Sequence, residues 1–152
     1  MTLNARYVHT NLVAEDWRGL ARFYEEVFGC VRLTPEREIA EEWLSESIGL
    51  PDAALQGVHL RLPGYGEAGP TLEIFTYRQN EAAVARAPNR PGFGHIAFAV
   101  EDVEAARAAV LAAGGSEVGR IVRAQVPGAG EITLVYMADP EGNLIEIQRW
   151  AQ

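Results

Sequence analysis

The chain has 152 residues, with 13 basic and 21 acidic side chains and a formal net charge of −8, which suits one domain with a sizeable core. That acidity excludes a general nucleic-acid binder, which needs a basic patch to displace counterions, and no apolar run approaches the roughly 20 residues that cross a bilayer. The single cysteine, Cys30, excludes an intrachain disulfide, and with no signal-peptide pattern at the start a cytoplasmic protein is expected.

Residues 6 to 13 read as a strand. From 16 to 28, Trp17, Leu20, Phe23, Tyr24 and Val27 recur at helical spacing behind Asp16, an N-cap residue type. Gly29 closes that helix, and Cys30 behind it is expected as a small buried residue rather than a nucleophile. Residues 35 to 55 are charge-rich and helix-like and read as an insertion, followed by strands at 57 to 62 and 71 to 77. The Pro- and Gly-bearing stretch 79 to 93 reads as a linker. A strand at 94 to 100 and a helix at 102 to 113 come next, then strands at 117 to 123, 131 to 137 and 143 to 149, with a turn in 126 to 131.

These elements repeat. "HTNLVAED" (9 to 16) matches "HIAFAVED" (95 to 102), and each copy reaches a Gly at the same offset, 29 − 9 = 20 and 115 − 95 = 20, a C-cap signal in both. "TLEIF" (71 to 75) matches "LIEIQ" (144 to 148). The chain is therefore α+β, one domain over 1–152 built from two βαβββ-like modules, about 6–78 and 94–150.

Strand side chains alternate between faces. If Ile96, Phe98 and Val100 face the second helix, His95 lies on the other side; Ile145 and Ile147 place Glu146 likewise, and Leu72 and Ile74 place Glu73. His9 shares a face with Tyr7 and Asn11. Each module thus offers one His and one Glu on the face away from its helix. Two carboxylates on a largely apolar face repel and resist desolvation unless a cation joins them. Imidazole and carboxylate are ordinary ligands for Zn, Ni, Co, Mn or Fe(II), so His9, Glu73, His95 and Glu146 are the candidate ligands of a divalent metal.

The paired modules, "GHIAFAVED", "LEIF" and above all "DPEGNLIEIQ" (139 to 148) resemble the vicinal oxygen chelate superfamily, which includes glyoxalase I, methylmalonyl-CoA epimerase, extradiol dioxygenases, fosfomycin-resistance transferases and bleomycin-binding proteins. The resemblance runs from about Tyr7 to Gln148 and implies a half-open, barrel-like mixed sheet with helices outside. It also implies metal ligands at His9, Glu73, His95 and Glu146; a filled fourth position looks most like glyoxalase I, with the epimerase close.

Val13 stands where bacterial glyoxalase I usually carries Arg, and Tyr77 where it tends to carry Asn, so the resemblance does not extend to these two positions, and glutathione as the substrate's carrier is left open. The implied reaction is proton abstraction next to a carbonyl through a metal-stabilised enediolate, by an isomerase or lyase acting on a small molecule with carbonyl or hydroxyl oxygens. Glu146, Glu73 and His59 are the candidate bases; the polar residues of "QGVHLRLPG" are Gln56, His59 and Arg61. Phe75, Tyr77 and Trp43 are candidate pocket residues, while nothing singles out Arg123 or Tyr136. A metal-dependent dioxygenase and a small-molecule binding or antibiotic-resistance protein are the alternatives, and a homodimer is expected.

Overall fold

The computed structural model describes residues 2–151. The chain divides into two compact units, Met1–Ala82 and Ala83–Gln152. The first contains β1 (His9–Val13), α1 (Trp17–Phe28), β2 (Val31–Ile39), α2 (Glu42–Ile48), β3 (Leu55–Arg61) and β4 (Thr71–Tyr77). The second contains β5 (Ile96–Ala99), α3 (Val103–Ala112), β6 (Ser116–Glu117), β7 (Val122–Val126), β8 (Gly130–Ala138) and β9 (Leu144–Trp150). No described helix is long and apolar enough to cross a membrane.

Each unit has its own mixed sheet, so the α+β class and the mixed pairing hold module by module. Sheet one runs β1-β4-β3-β2, and sheet two runs β5-β9-β8-β6 with β7 also paired to β8. In both, the first strand joins the last in parallel and the other pairings are antiparallel. The repeat extends to register. Asn11, two residues past His9, lies opposite Glu73, and Ala97, two past His95, lies opposite Glu146.

The cores form where the apolar alternation places them. In unit one, α1 packs against β3 and β4; Leu20, Ala21 and Tyr24 are buried, as are Val58, Leu60, Leu72 and Ile74 on the strands. In unit two, α3 packs on β8 and β9, with Val110, Val135, Met137, Ile145 and Ile147 at no more than 1 % exposure. Each large aliphatic so buried contributes roughly 1.5–3 kcal/mol relative to exposure. Both N-caps are Asp: Asp16 accepts from the Arg18 and Gly19 amides, and Asp102 from the Ala105 amide.

Three local expectations change. The stretch from 35 does not open as helix: Pro35 to Ile39 complete β2, and only Glu42–Ile48 is helical. Charged residues and Pro35 hid the strand, but β2 is a sheet edge, and Pro35 sits in the register shift between Leu33 and Arg37, where no ladder bond is lost. The strand expected at 117 to 123 is two pieces, β6 and β7. Gly29 does adopt the left-handed cap (φ 69°), but in the second module that role falls to Gly114 (φ 90°) rather than Gly115. Gly115 serves close packing instead: a Cβ there would lie 2.5 Å from Val110 Cγ1 and 2.6 Å from the Ala138 carbonyl oxygen.

The turn before β9 sets the register of the last hairpin. Asp139 is 2 % exposed, and its carboxylate accepts from the Glu141 amide (2.9 Å), the Asn143 amide (2.9 Å) and Asn143 Nδ2 (2.8 Å). Gly142 takes φ 83° and donates its amide to the Asp139 carbonyl. The turn aligns Tyr136 with Glu146 and Met137 with Ile145.

Candidate metal and catalytic site

In unit one, three side chains from three strands meet on the face away from α1. His59 lies directly opposite Glu73 across the β3–β4 ladder, and its Nε2 is 2.8 Å from Glu73 Oε2. His9, on β1, has its Nε2 3.7 Å from Glu73 Oε1. The His9 and His59 rings stand edge to face with centroids 5.7 Å apart. One donor atom from each of His9, His59 and Glu73 lies within 4.8 Å of the others. The Glu73 carboxylate is engaged at both oxygens, since Asn11 Nδ2 donates to Oε1 at 2.9 Å.

The electrostatics keep His59 neutral. Burial is the largest influence and lowers its pKa from the ordinary 6.5; the Glu73 carboxylate raises it, while the Arg37 and His9 charges lower it further. The short contact with Glu73 would by itself favour an imidazolium, but desolvation of a ring held between strands outweighs it. A neutral ring has two tautomers here: one donates from Nε2 to Glu73 and accepts at Nδ1 from the Thr71 hydroxyl, 3.2 Å away, and the other donates from Nδ1 to Thr71 and frees the Nε2 lone pair for a metal. Two neutral-capable imidazoles and a carboxylate within reach of one point form a donor set that fits a divalent transition metal.

In unit two, His95 Nε2 is 3.1 Å from Glu146 Oε2. Tyr136, directly opposite Glu146 on β8, donates its hydroxyl to the same oxygen at 2.9 Å, and its ring meets His95 edge to face with centroids 5.0 Å apart. Burial first, then the Glu146 hydrogen bond and charge, raise the Tyr136 pKa. Oε1 of Glu146 has no partner among the described residues.

The His and Glu that the sequence puts on one face of each module lie close together, His9 3.7 Å from Glu73 and His95 3.1 Å from Glu146. The sequence does not separate Tyr136 from its neighbours, although hairpin arithmetic would have: a turn centred on 141 puts 141 − 5 = 136 opposite 141 + 5 = 146. His59, expected only as a candidate base, occupies the matching place opposite Glu73.

The candidate pocket residues divide. Phe75 is 9 % exposed and belongs to a small core with Leu44, Ala53 and Leu55, yet its ring edge reaches His59 at a centroid distance of 6.0 Å. Tyr77 packs against that core and borders a cavity of about 420 Å³ lined also by Trp17, Arg18 and Gln56, which has no lining in common with His9, His59 and Glu73. Trp43 is 54 % exposed on α2. Cys30 is buried, which pushes its thiol up to about 12 and removes it from nucleophilic chemistry.

A sequence model of the Glyoxalase/Bleomycin resistance protein/Dioxygenase superfamily matches residues 6–147. A probable lactoylglutathione lyase of Vibrio parahaemolyticus is 29 % identical over 145 residues, covering 95 % of this chain and 90 % of the relative. Among solved structures, a glyoxalase family protein of Bacillus cereus superposes with a TM-score of 0.81 at 20 % identity, over 98 % of this chain and 95 % of that one. The genomically encoded fosfomycin resistance protein FosX of Listeria monocytogenes, solved with Mn(II) and sulfate, gives 0.57 at 14 % identity over 99 % and 95 % of the two chains. At these identities the solved structures establish the fold alone.

Proposed function

Because the chain belongs to the Glyoxalase/Bleomycin resistance protein/Dioxygenase superfamily, we propose that it is a divalent-metal-dependent isomerase or lyase that abstracts a proton next to a carbonyl of a small molecule. The observation that carries this reading is the His9–His59–Glu73 group on the open face of sheet one. In unit one the proposed ligands are His9 and Glu73, with His59 beside them; in unit two they are His95 and Glu146. The cation, when bound, supplies a Lewis acid that polarises substrate oxygens.

The chain's own residues handle the proton. Glu73 is held at Oε1 by Asn11 and at Oε2 by His59, an arrangement that suits a fixed carboxylate. Glu146 receives Tyr136 and His95 on one oxygen, and its other oxygen meets no partner among the described residues. That asymmetry favours Glu146 as the group that accepts the proton. In the tautomer that donates Nδ1–H to the Thr71 hydroxyl, the Nε2 lone pair of His59 is the second acceptor. The probable lyase activity of the Vibrio relative supports the same reaction class. Val13 and Tyr77 depart from the residues usual in bacterial glyoxalase I, and glutathione as the substrate's carrier is left open.

The test is metal analysis of the purified protein joined to solvent deuterium exchange. The reconstituted protein is expected to bind a divalent ion and to exchange the carbon-bound proton of an α-hydroxy carbonyl substrate. His9→Ala and Glu146→Gln should abolish the exchange. Failure to bind any divalent ion after reconstitution sinks the reading. A second reading has one observation behind it: two His and one carboxylate from unit one form the donor set of Fe(II) oxygenases. Oxygen consumption by the Fe(II)-loaded protein with catechols, without deuterium exchange, would favour it.

A further inference from the structure

All 13 basic residues are arginines. Four of those described are half-buried: Arg32, Arg37, Arg61 and Arg107. Two have found anions, Arg32 with Glu25 and Glu36, and Arg107 with Glu117. Arg37 and Arg61 meet no carboxylate among the described residues; Arg37 Nη1 donates only to the Pro35 carbonyl, at 3.1 Å. A guanidinium without a counterion at a half-buried place is free to receive an anion there. Leaving two in a chain with a net charge of −8 is an arrangement that awaits an anion from outside.

Their positions say which anion. On sheet one, three cross-strand rows share the face away from α1. His9, Thr71 and Arg61 form one row; Asn11, Glu73 and His59 form the next; Val13, Phe75, Gly57 and Arg37 form the third. Arg61 and Arg37 therefore flank the His59 row on either side. Residues two apart on one strand stand about 7 Å from each other on the same face, which sets Arg61 one such step from His59. Gly57 leaves the third row without a side chain on β3, and the Phe75 ring fills that place: a Cβ at Gly57 would lie 2.4 Å from Phe75 Cδ1. Phe75 lies over Gly57 and is covered by Leu44, Ala53 and Leu55, while Arg37 shares the face of the His59 row.

We propose that Arg37 and Arg61 clamp an oxyanion on this face, and that the substrate is a carbonyl compound bearing a carboxylate, phosphate or phosphonate beside its reacting centre. The planar guanidinium fork matches these groups. This rests on the reading of the His9–His59–Glu73 face as the substrate face, and it narrows the substrate class of that reading.

The experiment uses metal-free, EDTA-treated protein, so that anion binding is read apart from metal binding. Inorganic phosphate and malonate are titrated by calorimetry at low ionic strength, where such contacts are least screened. Binding of at least one probe at a single site is expected, weakening as NaCl is raised. Arg61→Gln and Arg37→Gln should each weaken it about tenfold or more, as befits loss of a charge-assisted hydrogen bond, and the double variant should abolish it. Arg61→Lys, which keeps the charge, should retain part of the affinity and excludes simple misfolding. Arg123→Gln and Arg149→Gln, on the other sheet, should leave it unchanged. The relative affinity of phosphate and malonate distinguishes a phosphoryl from a carboxylate substrate. No binding of either probe, undiminished binding in the double variant, or loss only with Arg123 or Arg149 overturns the clamp. Phosphate binding by a protein that takes up no metal would leave the clamp standing and remove the isomerase.

Discussion

Asp139→Ala tests the link between one buried turn and the site. The carboxylate accepts three hydrogen bonds, from the Glu141 amide, the Asn143 amide and Asn143 Nδ2, all at 2.8–2.9 Å. Asn143 is only 9 % exposed, so two of the three donors lose their acceptor where water is scarce. Each unmet buried donor costs about 1–3 kcal/mol, and the pair about 4 kcal/mol, a large share of the 5–15 kcal/mol that typical domains possess.

At about 2–4 °C per kcal/mol for a chain of this size, the melting temperature should fall by roughly 8–16 °C. Urea unfolding of the metal-free protein followed by circular dichroism measures the loss, and Asp139→Asn, which keeps one acceptor oxygen, should lie between. The functional consequence comes through register. A one-residue slip of β9 would turn Glu146 toward the helix side and away from Tyr136 and His95, so exchange activity should fall further than the unfolded fraction explains. A stability loss below about 1 kcal/mol would refute the assignment of the turn as the register lock, since even one unmet buried donor costs that much.

Gly57→Ala should destabilise unit one by about 3 kcal/mol, the upper end of overpacking costs, because the new Cβ would lie 2.1 Å from the Ile74 carbonyl oxygen; equal stability by denaturant titration would contradict the tight β3–β4 approach. His59 should titrate below 6.5 in the metal-free protein by proton NMR, since burial lowers its pKa. The unfolded chain then binds the proton first, so stability should decline as pH falls through 6.5, and His59→Gln should flatten that decline; a midpoint above 6.5 would show that Glu73 dominates. Cys30, raised to about 12 by burial and the Glu25 charge, should resist thiol reagents at pH 8 in the folded protein and react on unfolding. Its sign is opposite to that of His59: the unfolded thiol ionises near 9, so its contribution to stability is full below 9 and is lost as pH rises from 9 toward 12. Rapid labelling of the native state would refute the buried placement.

The sequence by itself determined the two-module α+β plan, the helices behind Asp16 and Asp102, and the face on which His9, Glu73, His95 and Glu146 lie. These are local properties. Alternation with period two assigns a face, an Asp before an apolar helical pattern assigns a cap, and repetition of both makes a chance occurrence improbable. The pairing of strands is not local, and only the tertiary structure decided what depends on it. That His59 stands opposite Glu73 and Tyr136 opposite Glu146 follows from the registers of β3 with β4 and of β8 with β9. That Val31–Ile39 is a strand at all follows from its place at a sheet edge, where Pro35 and its charges are tolerated. Gly115 looked like a cap and is a close approach to Ala138. In each case the residue type was visible in the chain, but its neighbour came from a distant segment, and that neighbour set its role.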